Sequence, residues 1–237
     1  MTEKGELLYE GKAKRLFKTS TPGVLWAEYL DQATAFDGEK KDQIVGKGTL
    51  NNQISSRIFA RLEEVGVPSH FIEQVSPTEQ LVRSVEIIPL EVVVRNRAAG
   101  SISKRLGIPE GTVLPKPLVE FFLKDDDLGD PLLTDDHVRM LQLASDDEIE
   151  ELKEKALVVN RALRELFADI DIDLVDFKVE FGRDEEGKTL LADEVSPDTA
   201  RLWDQETGAH LDKDVYRRGL GDLRDVYQVV LDRLQND

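Results

Sequence analysis

The chain has 237 residues and a formal net charge of −17, from 31 Lys and Arg against 48 Asp and Glu. That balance argues against a nucleic-acid partner unless basic residues cluster, but leaves room for a local basic pocket that takes a small anion. With no cysteine, disulfides and thiolate metal sites are excluded; without an apolar run near the ~20 residues of a membrane span or a signal-peptide apolar stretch, a soluble cytoplasmic protein with no membrane partner is expected.

In chain order, residues 6–10, 13–19 and 24–30 read as three short strands. The first turn carries Gly11, Lys12, Ala13 and Lys14. A glycine there lets backbone N–H groups approach a phosphate and two lysines supply charge, although a plain basic hairpin turn has the same composition. Residues 31–49 read as loop and contain Ala35–Gly38 (AFDG) and Gly46–Gly48 (GKG). The second is not a Walker A loop: Lys41 stands where the first glycine belongs, and Gly48 where Ser or Thr is required.

Residues 49–65 form a helix with Ile54, Ile58, Leu62 and Val65 on one stripe, stopped by Gly66 and Pro68. Strands follow at 70–75 and 79–85, and the prolines at 77 and 89 punctuate them. A domain boundary is expected at 87–90. Residues 90–96 are a strand; the turn 97–101 then leads into a short helix from Ile102. Arg95, Arg97, Lys104 and Arg105 lie close to Gly100 and Ser101, which suits a phosphate, or alternatively a capped helix with surface arginines.

Residues 109–130 read as loop around an apolar piece, 118–123. Ser145 to Glu148 is a capping box opening a long core helix. The last helix, about 212–234, is amphipathic. His70, His137 and His210 show no ligand spacing and are read as structural or surface residues.

The stretch that organises the chain is Leu174–Gly182 (LVDFKVEFG) followed by Leu190–Arg201. Alternation puts Asp176, Lys178 and Glu180 on one strand face. A hairpin centred near Glu186 and Gly187 would set Glu180 opposite Asp193. Two carboxylates beside a lysine suit a hard cation such as Mg²⁺ carried by a nucleotide; a half-exposed hairpin with solvated charges is the bland alternative. Ser196, Pro197 and Asp198 form a turn that places Asp198 and Arg201 just past the strand end.

Together and in this order, GKAK (11–14), GKG (46–48), VVRNRAAGS (93–101), KRLG (104–107), FLKD (122–125), LVDFKVEFG (174–182), DEVSPD (193–198) and RLWD (201–204) resemble the SAICAR synthetase family over essentially the whole chain. The longer motifs carry the resemblance; GKAK alone does not. The fold expected is α+β in two domains with ATP in the cleft between them, a layout related to ATP-grasp enzymes and kinase lobes. Residues 1–88 would be an antiparallel domain with one helix, and 89–237 a larger mixed domain.

The resemblance implies an ATP-dependent ligase of purine biosynthesis. It joins the carboxylate of carboxyaminoimidazole ribotide (CAIR) to the amine of L-aspartate, with ATP and Mg²⁺ as cofactors and a homodimer as the assembly. A ligase with another acceptor, or a small-molecule kinase, is the alternative on the same layout. Carried over residue by residue, Gly11, Lys12, Ala13, Lys14, Ile87, Lys124, Lys178, Glu180 and Asp193 would hold ATP, with Glu180 and Asp193 on the metal. Arg95, Ser101, Lys104 and Arg201 would bind the ribotide, with Asp176, Asp198 and Asp37 lining the substrate side. Asp198, Lys178 and Asp176 are the catalytic candidates, with Asp198 orienting or deprotonating the attacking amine.

Overall fold

The structure, a computed structural model, describes residues 2–35 and 40–236. Five antiparallel strands make the first sheet: β1 (Lys4–Glu10), β2 (Lys14–Thr19), β3 (Val24–Tyr29), and, after an excursion, β6 (Phe71–Ser76) and β7 (Glu79–Arg83), in the order β1-β2-β3-β7-β6. The excursion is not simply loop. β4 (Gln32–Ala35) and β5 (Lys40–Gln43) form a two-stranded hairpin, and Asp37, between them, lies outside the described residues. Helix α1 (Lys47–Glu64) begins two residues earlier than the apolar stripe suggests, because Gly46 at φ 89° turns the chain into it.

The second sheet is built on β12 (Ile172–Arg183). Along its first half, β12 is flanked by β9 (Leu90–Arg97) and β14 (Ala200–Asp204); along its second, by β8 (Glu86–Ile87) and β13 (Thr189–Ala192). Beyond β9 lie β10 (Val113–Leu123) and β11 (Leu132–Leu133). β10 starts well before the apolar piece visible in the sequence. Pro115 and Pro117 cannot donate to the ladder, and the register shifts between Val113 and Leu118.

Helices α2 (Ser101–Leu106), α3 (Asp135–Met140) and α4 (Asp146–Asp169) connect these strands. α3 opens on a capping box at Thr134, and α4 on one at Ser145. The amphipathic C-terminal segment is two helices, α5 (Asp214–Arg218) and α6 (Leu223–Asn236), because Gly219, at φ 66°, ends the first.

One core joins the layers. Ile54, Ile58, Phe59 and Leu62 of α1 pack with Leu90, Val92 and Val94 of β9, with Leu152, Val159 and Leu163 of α4, and with Tyr227 and Val230 of α6. At about 1.5–3 kcal/mol for each large apolar side chain, this packing fixes the sheets on which the polar groups stand. No helix among the described residues is long and apolar enough to cross a membrane.

Candidate active site

A cavity of about 990 Å³ is lined by the β1–β2 turn, by β9 and β12, and by the segment that follows β13. The local cause is a divergence of strands. β13 leaves β12 after the pair Glu180–Ala192, while β14 pairs with it only as far as Phe177. Residues 193–199 bridge the gap and carry Asp193, Glu194 and Asp198 to the cavity wall.

The register differs by one residue from the expected hairpin: Ala192, not Asp193, is opposite Glu180. Asp193 reaches the site by backbone conformation instead. It adopts φ 61°, a left-handed geometry uncommon for a residue with a side chain. His70 Nε2 lies 3.1 Å from its carbonyl oxygen. Burial, with Lys14 nearby, lowers the His70 pKa to about 4, so the ring is neutral and its Nε2–H donates to that carbonyl.

Three lysines meet the carboxylates of this wall. Lys14 pairs with Asp193 and lies 3.4 Å from Glu194. Lys178 bridges Glu180 at 2.7 Å and Asp193 at 3.4 Å, and Lys124 contacts Glu180 at 2.6 Å. Burial opposes the charge on Asp193, but Lys14, Lys178 and Lys124 outweigh it and hold the carboxyl well below the usual range. Burial likewise opposes the Lys14 charge, and Asp193 and Glu194 overcome it and raise that pKa. Lys12 is more exposed and pairs with Asp126 across the cavity mouth at 2.6 Å. Glu180 and Asp193 offer oxygen donors of the kind a hard cation takes, and Lys178 lies within ion-pair reach of both, so the donor chemistry of the pair suits a cation such as Mg²⁺.

A second cluster stands on β9, β12 and β14. Arg95, 3% exposed, donates to Asp176 at 2.7 Å, to Glu120 at 2.6 Å and to Ser101 Oγ at 3.0 Å. Arg201 donates to Asp176 at 2.8 Å and to Asp214 at 3.0 Å. Burial works against the Arg201 charge, yet Asp176 and Asp214 raise its pKa further. Gly100, at φ 61°, is the close approach that makes room: a Cβ there would run into the Arg201 guanidinium. Two guanidiniums and a serine hydroxyl at one cavity wall can bind a phosphate monoester.

Asp198 is the third centre, and sequence reasoning missed what surrounds it. Its carboxylate accepts from Lys47, from Asn51 Nδ2 at 2.9 Å and from Tyr227 Oη at 2.6 Å. Burial opposes its charge, but Lys213 and Lys47 lower its pKa nonetheless. With three donors on two oxygens and a depressed pKa, Asp198 is a weak base, which bears on deprotonation of the amine and leaves the orienting part of its expected role untouched. Lys47 stands in GKG, which fails as a Walker loop and enters the family resemblance without a role for the lysine; Lys213 and Tyr227 carry no motif.

The cavity gathers Gly11, Lys12, Ala13, Lys14, Arg95, Ser101, Lys124, Asp176, Lys178, Glu180, Asp193, Asp198 and Arg201. Ile87, half exposed on β8, and Lys104, exposed on the outer face of α2, are not among the lining residues. Lys104 points to solvent, whereas Ser101, at the start of the same helix, faces the cavity. Another acidic group, His210 with Asp212 and Asp214, has its ligand atoms within 4.8 Å of one another. Its carboxylates are committed elsewhere: Asp212 accepts from the N–H groups of Leu202 and Asp214, and Asp214 from Arg201 and Arg217.

The fold and the cavity define an α+β protein with a cleft built for anionic small molecules, lined by lysine–carboxylate and arginine–carboxylate clusters. The SAICAR synthetase family model matches residues 7–234, and the chain belongs to that family. The phosphoribosylaminoimidazole-succinocarboxamide synthase of Shouchella clausii is 61% identical over 231 residues, covering 98% of this chain and 97% of the relative. Among solved structures, the enzyme of that name from Ehrlichia chaffeensis superposes with a TM-score of 0.95 at 45% identity, covering 97% of this chain and 98% of the other. A SAICAR synthetase in complex with ADP superposes at 0.94 with 46% identity, covering 98% of each chain.

Proposed function

We propose that this chain condenses the carboxylate of CAIR with the amine of L-aspartate at the expense of ATP, giving the succinocarboxamide, ADP and phosphate. The observation that carries the reading is the coexistence, in one cavity, of the Lys14–Asp193–Lys178–Glu180 wall and the Arg95–Ser101–Arg201 wall. The first suits a nucleotide polyphosphate and the second a ribotide phosphate. ADP in a relative of 46% identity supports the nucleotide half.

A carboxylate is a poor electrophile because its charge is delocalised. Phosphoryl transfer to it creates a good leaving group, and such chemistry rests on positioning and charge neutralisation. Lys12, Lys14 and the turn backbone would hold the phosphates, and Ile87, from outside the cavity lining, would reach only the rim of the base. Glu180 and Asp193 would hold Mg²⁺, which when bound supplies neutralisation of the β- and γ-phosphate charge. Lys178, fixed between them, would meet the transferring group. Arg95, Ser101 and Arg201 would seat the ribotide phosphate, and Asp176, locked between the two arginines, would line the sugar side. Asp37 is kept on the substrate side from the resemblance alone.

The proposal includes a two-lobed division at 1–88 and 89–237, a cytoplasmic location and a homodimer. Light scattering on the purified protein tests the last. The function is tested by ADP release in an omission series with MgATP, CAIR and L-aspartate. Release that requires both substrates, with succinocarboxamide formed alongside, supports it. ATP binding without turnover in the full mixture overturns it.

A further inference from the structure

Lys213 has no role in the reading above, yet its amine stands at the cavity wall, with the side chain 15% exposed. Its surroundings hold more positive charge than Asp198 can satisfy. Among the described residues its ion-pair partner is Asp198, at 3.9 Å, and that carboxylate is already taken by Lys47, Asn51 and Tyr227 at shorter range. Lys47, from α1, and Arg217, from α5, add like charge around it; Asp198 and Glu194, both from the segment after β13, supply the opposing charge. Asp214 pairs with Arg217 at 2.8 Å but is shared with Arg201 at 3.0 Å.

We infer that Lys213 is the proton acceptor for the attacking amine, a reading that rests on the function proposed above. The amino acid arrives as an ammonium and must lose a proton to expose its lone pair. As the new N–C bond forms and the C–O bond to the phosphoryl group breaks, phosphate leaves with the bonding electrons. The proton that the ammonium gives up passes to the Lys213 amine, which becomes an ammonium beside Asp198; the second proton, lost from the same nitrogen once the N–C bond has formed, leaves on the departing phosphate. Lys47 and Tyr227 hold Asp198 so that it stabilises this new charge without competing for the proton. Burial, only partly opposed by Asp198, places the Lys213 pKa below the ordinary 10.5, the direction a lysine base needs.

Lys213→Arg keeps the charge but cannot accept a proton near neutral pH, and Lys213→Met removes both. The expected result is a kcat lowered by about 10²–10⁴-fold in both variants, the range for loss of a general base. KM for L-aspartate should stay close to that of the parent in the arginine variant, and MgADP binding should persist in both as the check on folding. Near-normal kcat in Lys213→Arg would overturn the inference and make the residue a simple carboxylate anchor.

The chain has no cysteine, so Lys213→Cys creates a single thiol. Alkylation with bromoethylamine, confirmed by mass, restores an amine of nearly the same reach but lower basicity. Recovery of kcat, with the acid limb of its pH profile moved to lower pH, supports the inference; recovery with an unmoved limb overturns it. If the parent protein itself showed no ADP release dependent on both substrates, the functional reading would have failed instead, before any variant was compared.

Discussion

Asp193 shows how one residue can be placed by interactions that its own motif does not spell. Its left-handed backbone is tied to a neutral His70, and burial is what keeps that ring neutral. The folded pKa of about 4 lies below the ordinary histidine value of 6.5, so the folded state binds the proton less readily than the unfolded chain. The associated stability is complete above pH 6.5 and is lost as pH falls through 4, about 3 kcal/mol in all. Urea unfolding at pH 7 and pH 4.5 should therefore show a stability difference that shrinks in His70→Asn; an equal difference in both proteins would assign it to other groups. Arg201 sets a different test. Arg201→Met removes one partner of the buried Asp176 and Asp214, an expected loss of about 3–5 kcal/mol. Ribotide KM should rise while ATP affinity holds, and a matching fall in ATP affinity would remove Arg201 from the ribotide site.

β12 is where the elements come together, and its alternation was legible because one strand face carries charge and the other is apolar. What the alternation could not show was the strand's neighbours. β8, two residues long, reaches β12 because Gly182 lets Val85 lie against the backbone; a Cβ at 182 would meet Val85 Cγ2 at 2.5 Å. Gly182→Ala should cost about 1–3 kcal/mol through overpacking, lowering Tm by some 2–4 °C per kcal/mol in a chain of this size. A Tm within 1 °C or so of the parent would mean Val85 repacks freely. The one-residue register difference at Asp193 has a similar origin. Turn composition located the hairpin, but the strand ends were set by β14 competing for the first half of β12. The β4–β5 hairpin and β10 were read as loops for a related reason: the first is short and polar, and the second carries two prolines. The GLG break between α5 and α6 was written in the sequence, but an amphipathic stripe running past it masked the signal.

At the scale of the whole molecule, the cleft concentrates charge that the folded protein neutralises internally in the absence of ligand. Lys14 from the first sheet spans to Asp193 and Glu194 beside the second, and Lys12 spans to Asp126. These contacts link regions far apart in sequence, which is why motif order revealed the family while the pairing of Lys47, Asn51 and Tyr227 on Asp198 stayed hidden. On the proposed function, a polyphosphate entering between the sheets would replace carboxylates as the lysines' partners, and the carboxylates it frees would be best matched by a divalent cation. Nucleotide and metal should therefore stabilise the fold together. At 100-fold excess over Kd, MgADP should add about 2.7 kcal/mol, a Tm rise on the order of 5–10 °C. ADP with chelator should give a smaller rise, since it leaves Glu180 and Asp193 uncompensated. In Asp193→Asn the MgADP rise should collapse toward the chelator value, while the chelator value itself changes little. If both rises fell by the same amount, Asp193 would act through the lysines alone, and metal binding would have to be assigned to Glu180 with other donors.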